Sequence, residues 1–167
     1  MLHCGSPQVH VANASNVHFV GLNMEYGRGW GAVFDNCNGC SIKNATLRNF
    51  GINAVNVTDG KNFLLDNVSV AGTGQGGIIL TGGDRQTLAP ANHTIYNSNI
   101  ASFSRLLQKY TPAVCLCGVG NNLIDSVVSN GPHFGMLLTG NDHTIEGNHF
   151  HTLVQSGADA GAIYSGK

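Results

Sequence analysis

Arg105, His133 and Asp159 are 28 and 26 positions apart. Brought into one groove, they combine a fixed cation, an imidazole that can move a proton and a carboxyl for acid or base work. These three are the expected catalytic group. Asp84, Arg85, Lys109, Tyr110 and His151 are the expected substrate-binding residues. Their polar heads suit a ligand rich in hydroxyls or carboxylates. Each also has a plainer structural use. Asp84 can pin its own loop beside Arg85, and Lys109 can be a solvated surface cation. His133 follows Pro132 and can cap a turn, and Asp159 lies among small residues where a turn is equally natural.

Metal chemistry has weaker support. His149 and His151 flank Phe150, so on a strand they share the face opposite it and point to solvent. The five cysteines include a Cys37–Cys40 CxxC and the close pair Cys115 and Cys117. Neither is joined by a second pair and histidines at zinc spacing. They are read as small buried or turn residues, and no metal or other cofactor is expected.

The elements that would position these groups come from a repeat. An apolar anchor recurs at Phe19, Ile42, Leu65, Ile95, Leu123 and Ile145. Five positions after each stands a second apolar residue: Met24, Leu47, Val70, Ile100, Val128 and Phe150. The shorter anchor spacings are 22 and 23 residues, the length of one coil of a β-solenoid. Each coil carries a further apolar run in which small residues precede large ones, such as Gly77-Ile78-Ile79-Leu80 and Gly135-Met136-Leu137-Leu138. Glycine recurs too often for helices, and no 3.6-residue stripe persists. The expected fold is all-β: a single-stranded, right-handed parallel β-helix of about six coils of 22–30 residues, forming one domain over residues 1–167.

Breaks in the repeat place the chemistry. Extra residues fall after coil three (Gly82 to Leu88), within coil four (Ser104 to Tyr110) and within coil six (His151 to Gly161). Insertions at one turn of a solenoid emerge on one side of the rod. Stacking puts Gly29, Ile52, Gln75, Arg105, His133 and the loop near Gln155 in one column. Arg105, His133 and Asp159 are therefore expected to line one groove, with Asp84 and Arg85 at its rim.

Composition narrows the partners. Only 10% of residues are charged, against about a quarter in ordinary domains, and the net charge is −1. No basic stripe favours nucleic acid, and no apolar run is long enough to span a membrane. The 23 glycines and many asparagines suit left-handed turn positions. Asn13, Asn44, Asn56, Asn67 and Asn92 each begin an Asn-x-Ser/Thr triplet, which is either a glycan acceptor or a by-product of the repeat.

Gly82-Gly83-Asp84-Arg85-Gln86-Thr87-Leu88, Phe103-Ser104-Arg105, Gly131-Pro132-His133, Gly140-Asn141-Asp142-His143-Thr144-Ile145-Glu146 and Asp159-Ala160-Gly161-Ala162-Ile163-Tyr164 follow in order. With these stretches the chain resembles right-handed β-helix proteins of the pectate-lyase-like superfamily, some of them glycoside hydrolases. The resemblance implies a secreted, carbohydrate-active protein whose partner is a polysaccharide or oligosaccharide. A polysaccharide-degrading glycoside hydrolase is the leading expectation, with Asp159 as one carboxyl and its partner carboxyl unassigned. A polysaccharide lyase using Arg105, Arg85, Lys109 and His133, and a non-catalytic glycan-binding or structural solenoid, are the alternatives. Members of such families are longer, and neither end here offers a capping helix. The chain is thus expected to be a fragment, partnered by the remainder of a longer β-helix.

Overall fold

The computed structural model describes residues 5–157 and 160–166. All regular structure among them is β, and every strand pairing is parallel. The chain winds as a solenoid with two long sheets. Sheet A stacks Val9–Ala12, Ala32–Asn38, Val55–Lys61, Ile78–Gly82, Val114–Val119, Met136–Asn141 and Ile163–Ser165, in chain order. Sheet B is built from the intervening strands, from His18–Val20 to His149–His151. One strand of sheet A per coil makes about seven turns rather than six. The additional turn is Val9–Ala12, whose Val9 pairs with Ala32. It lacks the small-before-large pattern of the later runs, so the periodic reading began one strand late.

The anchors form one stack. Phe19 pairs with Ile42, Ile42 with Leu65, Leu65 with Ile95, Ile95 with Leu123 and Leu123 with Ile145. Their partners stack likewise from Met24 through Leu47, Val70, Ile100 and Val128 to Phe150. Strands three to eight residues long bury little alone, but in register they line a continuous apolar interior. Phe34, Phe50, Phe63 and Phe103 fill its width, and the rings of Phe34 and Phe63 are 4.6 Å apart.

The asparagines have a specific place. Sheet B bends once per coil at Gly21, Asn44, Asn67, Asn97, Asp125 and Gly147, all with φ between 46° and 72°. Only glycine and short polar side chains take this left-handed conformation readily. The bend amides also join coil to coil: Asn67 Nδ2 donates to Asn44 Oδ1 at 2.8 Å. After the bend comes an inward residue and then an outward one. Asn44-Ala45-Thr46 and Asn67-Val68-Ser69 fit that pattern, with Ala45 and Val68 buried. Two of the five Asn-x-Ser/Thr triplets, those at Asn44 and Asn67, thus coincide with this bend.

Two further ladders run inside the corners, where backbone N–H groups miss a strand partner. Phe63 N–H donates to His93 Nδ1, His93 N–H to Asn121 Oδ1 and Asn121 N–H to His143 Nδ1, at 3.1–3.2 Å. On the other side Val68 N–H donates to Ser98 Oγ, Ser98 N–H to Ser126 Oγ and Ser126 N–H to Asn148 Oδ1. His93, Asn121, Ser98 and Ser126 are buried because they satisfy the main chain of the preceding coil.

Candidate functional site

Sheet B returns to sheet A through a corner that holds the insertions of coils four and six. Backbone hydrogen bonds stack this corner from coil to coil. Ile52 N–H donates to the Gly29 carbonyl, Gln75 N–H to Ile52 and Ser104 N–H to Gln75. Two coils on, Val154 N–H donates to the His133 carbonyl. The insertion of coil four leaves this stack after Ser104, whose hydroxyl closes it by donating to the Thr111 carbonyl at 2.7 Å. It carries Tyr110 across to His133 of the next coil, ring to ring at 5.3 Å.

The result is a recess of about 310 Å³ lined by Tyr110, His133, Phe134, Leu137, Ala160 and Tyr164. Phe134 and Tyr164 stack at 5.6 Å with 21° between their planes, and His133 meets Phe134 edge-on at 4.5 Å. Tyr110 is 79% exposed and Tyr164 50%, whereas His133 is only 5% exposed. Gly157, from the insertion of coil six, lies against the His133 ring; a Cβ there would sit 2.8 Å from Cδ2. His133 Nδ1 is enclosed and has no hydrogen-bond partner.

Of the expected site residues, the recess contains His133 and Tyr110. Arg105 stands at the same corner, one coil back. Its Nε donates to the Gly72 carbonyl at 2.7 Å, which ties the insertion to coil three. Lys109 is exposed on the insertion beside Tyr110. Asp84 and Arg85 follow Gly82, beyond the opposite edge of sheet A. There Asp84 fastens its own loop: Oδ1 accepts from Gln86 N–H and Oδ2 from the Thr87 hydroxyl, both at 2.8 Å. The Gln86 N–H first, then the Thr87 hydroxyl, holds the Asp84 carboxyl below its ordinary range. His151 is on the outer face of sheet B, its ring 4.7 Å from that of His149. Asp159 lies outside the described residues.

Phe134, Leu137 and Tyr164 were not among the expected site residues. Leu137 pairs with Tyr164 in sheet A, one position off the inward column Met136–Ile163. Both therefore face outward, and two outward apolar residues in consecutive rungs were the signal available in the sequence.

A second concavity, about 400 Å³, runs along the bend of sheet B past Asn44, Asn67, Asn97 and Asp125. It is larger but shallow, and part of its amide wall is already paired along the ladder. At the aromatic recess, by contrast, rings from three coils converge.

The class defined by this architecture is the parallel β-solenoid. The chain matches no protein-family model, and no curated protein matches it in sequence.

Proposed function

We propose that the chain is a carbohydrate-binding β-solenoid of the right-handed, pectate-lyase-like kind, and that the aromatic recess seats one sugar ring. The observation that carries this reading is the enclosure of the recess by Tyr110, Phe134 and Tyr164 beside His133. Small-ligand sites combine apolar walls with a few placed polar groups. Here the rings offer flat faces to the C–H side of a sugar, while two phenol hydroxyls and the imidazole can meet its hydroxyls. A polysaccharide partner and an extracellular location follow from the same reading. Screening the intact chain against neutral and uronic-acid oligosaccharides by calorimetry tests it. Saturable binding that weakens in Tyr110→Ala and Tyr164→Ala supports the proposal. Absence of binding, or binding indifferent to both changes, overturns it.

Glycoside hydrolysis is the second reading. Ala160 lines the recess, and Asp159 precedes it in the chain. Hydrolysis needs two carboxyl groups about 5–10 Å apart, and no carboxylate among the described residues lines the recess. A reducing-end assay comparing the unaltered chain with Asp159→Asn decides between binding and turnover. A lyase is less supported, since no arginine or lysine among the described residues lines the recess to meet a uronate.

A further inference from the structure

The outer face of sheet B carries two histidines that the aromatic recess does not use. His149 and His151 alternate with Phe150, which packs against the core, so both imidazoles project outward, and both are exposed. Backbone pairing fixes their spacing: His149 sits opposite Val127 and His151 opposite Ser129 of the preceding coil. Their ring centres are 4.7 Å apart, with 38° between the planes. Thr152 Oγ1 lies 3.0 Å from His151 Nδ1 and can accept its proton, which leaves the Nε2 lone pair free. Thr152 is also the odd residue of its turn. In the four preceding coils the residue after this strand is Asn49, Gly72, Ser102 or Asn130, and each, like Thr152, is left-handed. A β-branched side chain is costly at φ 54°. What Thr152 supplies there is a hydroxyl against His151.

We propose that His149 and His151 form a two-imidazole site for a divalent late transition-metal ion, copper(II) or nickel(II). Imidazole suits these ions, and they stand high in the general affinity order of divalent metals. Two imidazoles on adjacent positions of one ion put their ring centres about 4.5–5 Å apart, given a metal–nitrogen bond of about 2.0–2.1 Å. The 4.7 Å between His149 and His151 lies in that span, so turning the exposed rings on their side-chain bonds closes the chelate. Metal-binding histidines characteristically donate their other N–H to an outer partner, the part Thr152 takes at His151. Among the described residues no third His, Cys, Asp or Glu joins the pair. The remaining coordination positions are left to water or to a donor from another molecule. Binding exchanges two metal–water bonds for two metal–nitrogen bonds, releases two waters and changes no oxidation state. The other described histidines are engaged or enclosed: His10 meets Asp35, His18 meets Ser41, His143 accepts from Asn121 N–H, and His93 and His133 are buried.

The test titrates the full chain, free of any affinity tag, with nickel(II), which thiols do not reduce. Paramagnetic broadening of the histidine ring signals locates the ion, and calorimetry gives the affinity. The site predicts one ion per chain, with the rings of His149 and His151 broadened first and together. His149→Gln and His151→Gln are each expected to weaken binding by about a hundredfold or more, the gain that linking two ligands supplies. Thr152→Gly keeps the left-handed turn and removes the hydroxyl. Its affinity should fall about tenfold, as on loss of an outer partner, with the urea midpoint unchanged or raised. Broadening centred on other residues, an ion held by one ring alone, or unchanged affinity in any of the three variants would each overturn the proposal. The broadening map needs no variant, so it decides the matter even if one of them folds poorly.

Discussion

Tyr110 and His133 belong to neighbouring coils, yet their rings lie 5.3 Å apart. The contact exists because coil four carries an insertion at the corner where coil five keeps the plain repeat. An interruption of the solenoid thereby becomes the wall of a recess over an uninterrupted coil. Ligand binding and rod stability should consequently be separable by mutation.

Tyr110→Ala is the clearest case. The ring is 79% exposed and buries little on folding. Stability should stay within about 0.5 kcal/mol, as for most surface changes. Saccharide affinity should fall by about fivefold to tenfold, the worth of one aromatic contact of about 1 kcal/mol. Chemical denaturation and calorimetry on the same samples read the two effects.

The inner ladders predict the opposite behaviour. Ser98→Ala removes the acceptor of the buried Val68 N–H and the donor to the Tyr96 carbonyl. It should cost about 1–3 kcal/mol, the penalty for leaving buried polar groups unpaired. Saccharide affinity should not change. Urea denaturation followed by circular dichroism measures the loss.

Acid should weaken the rod through His93. Burial holds its imidazole at about 4, below the ordinary 6.5, with Asp59 pulling weakly the other way. As pH falls from 6.5 toward 4 the unfolded chain binds this proton first, so stability drops. The contribution is complete above about pH 6.5 and is lost toward about pH 4, amounting to roughly 2–3 kcal/mol. Asn121 fills the same column one coil on, accepting an N–H through Oδ1. His93→Asn should therefore keep the ladder and flatten the pH dependence, read as urea midpoints at about pH 7.5 and about pH 4.5.

Close backbone contact sets a stricter limit at Gly118. It has φ +99°, and a Cβ there would lie 2.0 Å from the Gly82 carbonyl oxygen. Gly82, Gly118 and Gly140 are in register, so no neighbouring side chain can yield. Gly118→Ala should cost more than about 3 kcal/mol. The expected readout is insoluble expression or a strongly lowered melting temperature.

The rod was legible in the sequence because its anchors obey a single rule: one large apolar residue per coil in one column. That is why Phe19 through Ile145 stack as their spacing implies. The corner was only partly legible. The column from Gly29 to Gln75 follows from counting, and so does the stacking of His133 beneath Val154. The reach of Tyr110 does not, because an insertion has no register of its own. Asp84 was expected at the rim of the same groove, but its insertion follows the end of the Ile78–Gly82 strand, whereas those of coils four and six precede a strand of sheet A; the spacing already set it at a different turn, and the rim placement did not follow from it. Buried His93 was invisible for another reason: its partner is a backbone N–H of the preceding coil, and no sequence pattern marks a backbone group in need of an acceptor.

The most direct measurement is a two-dimensional NMR titration of the aromatic side chains with a bound oligosaccharide. Shifts that saturate together at Tyr110, His133, Phe134 and Tyr164, with the sheet B bend at Asn44, Asn67 and Asn97 unmoved, are the predicted result. Saturable shifts confined to that bend, or none at the four rings, would contradict the account.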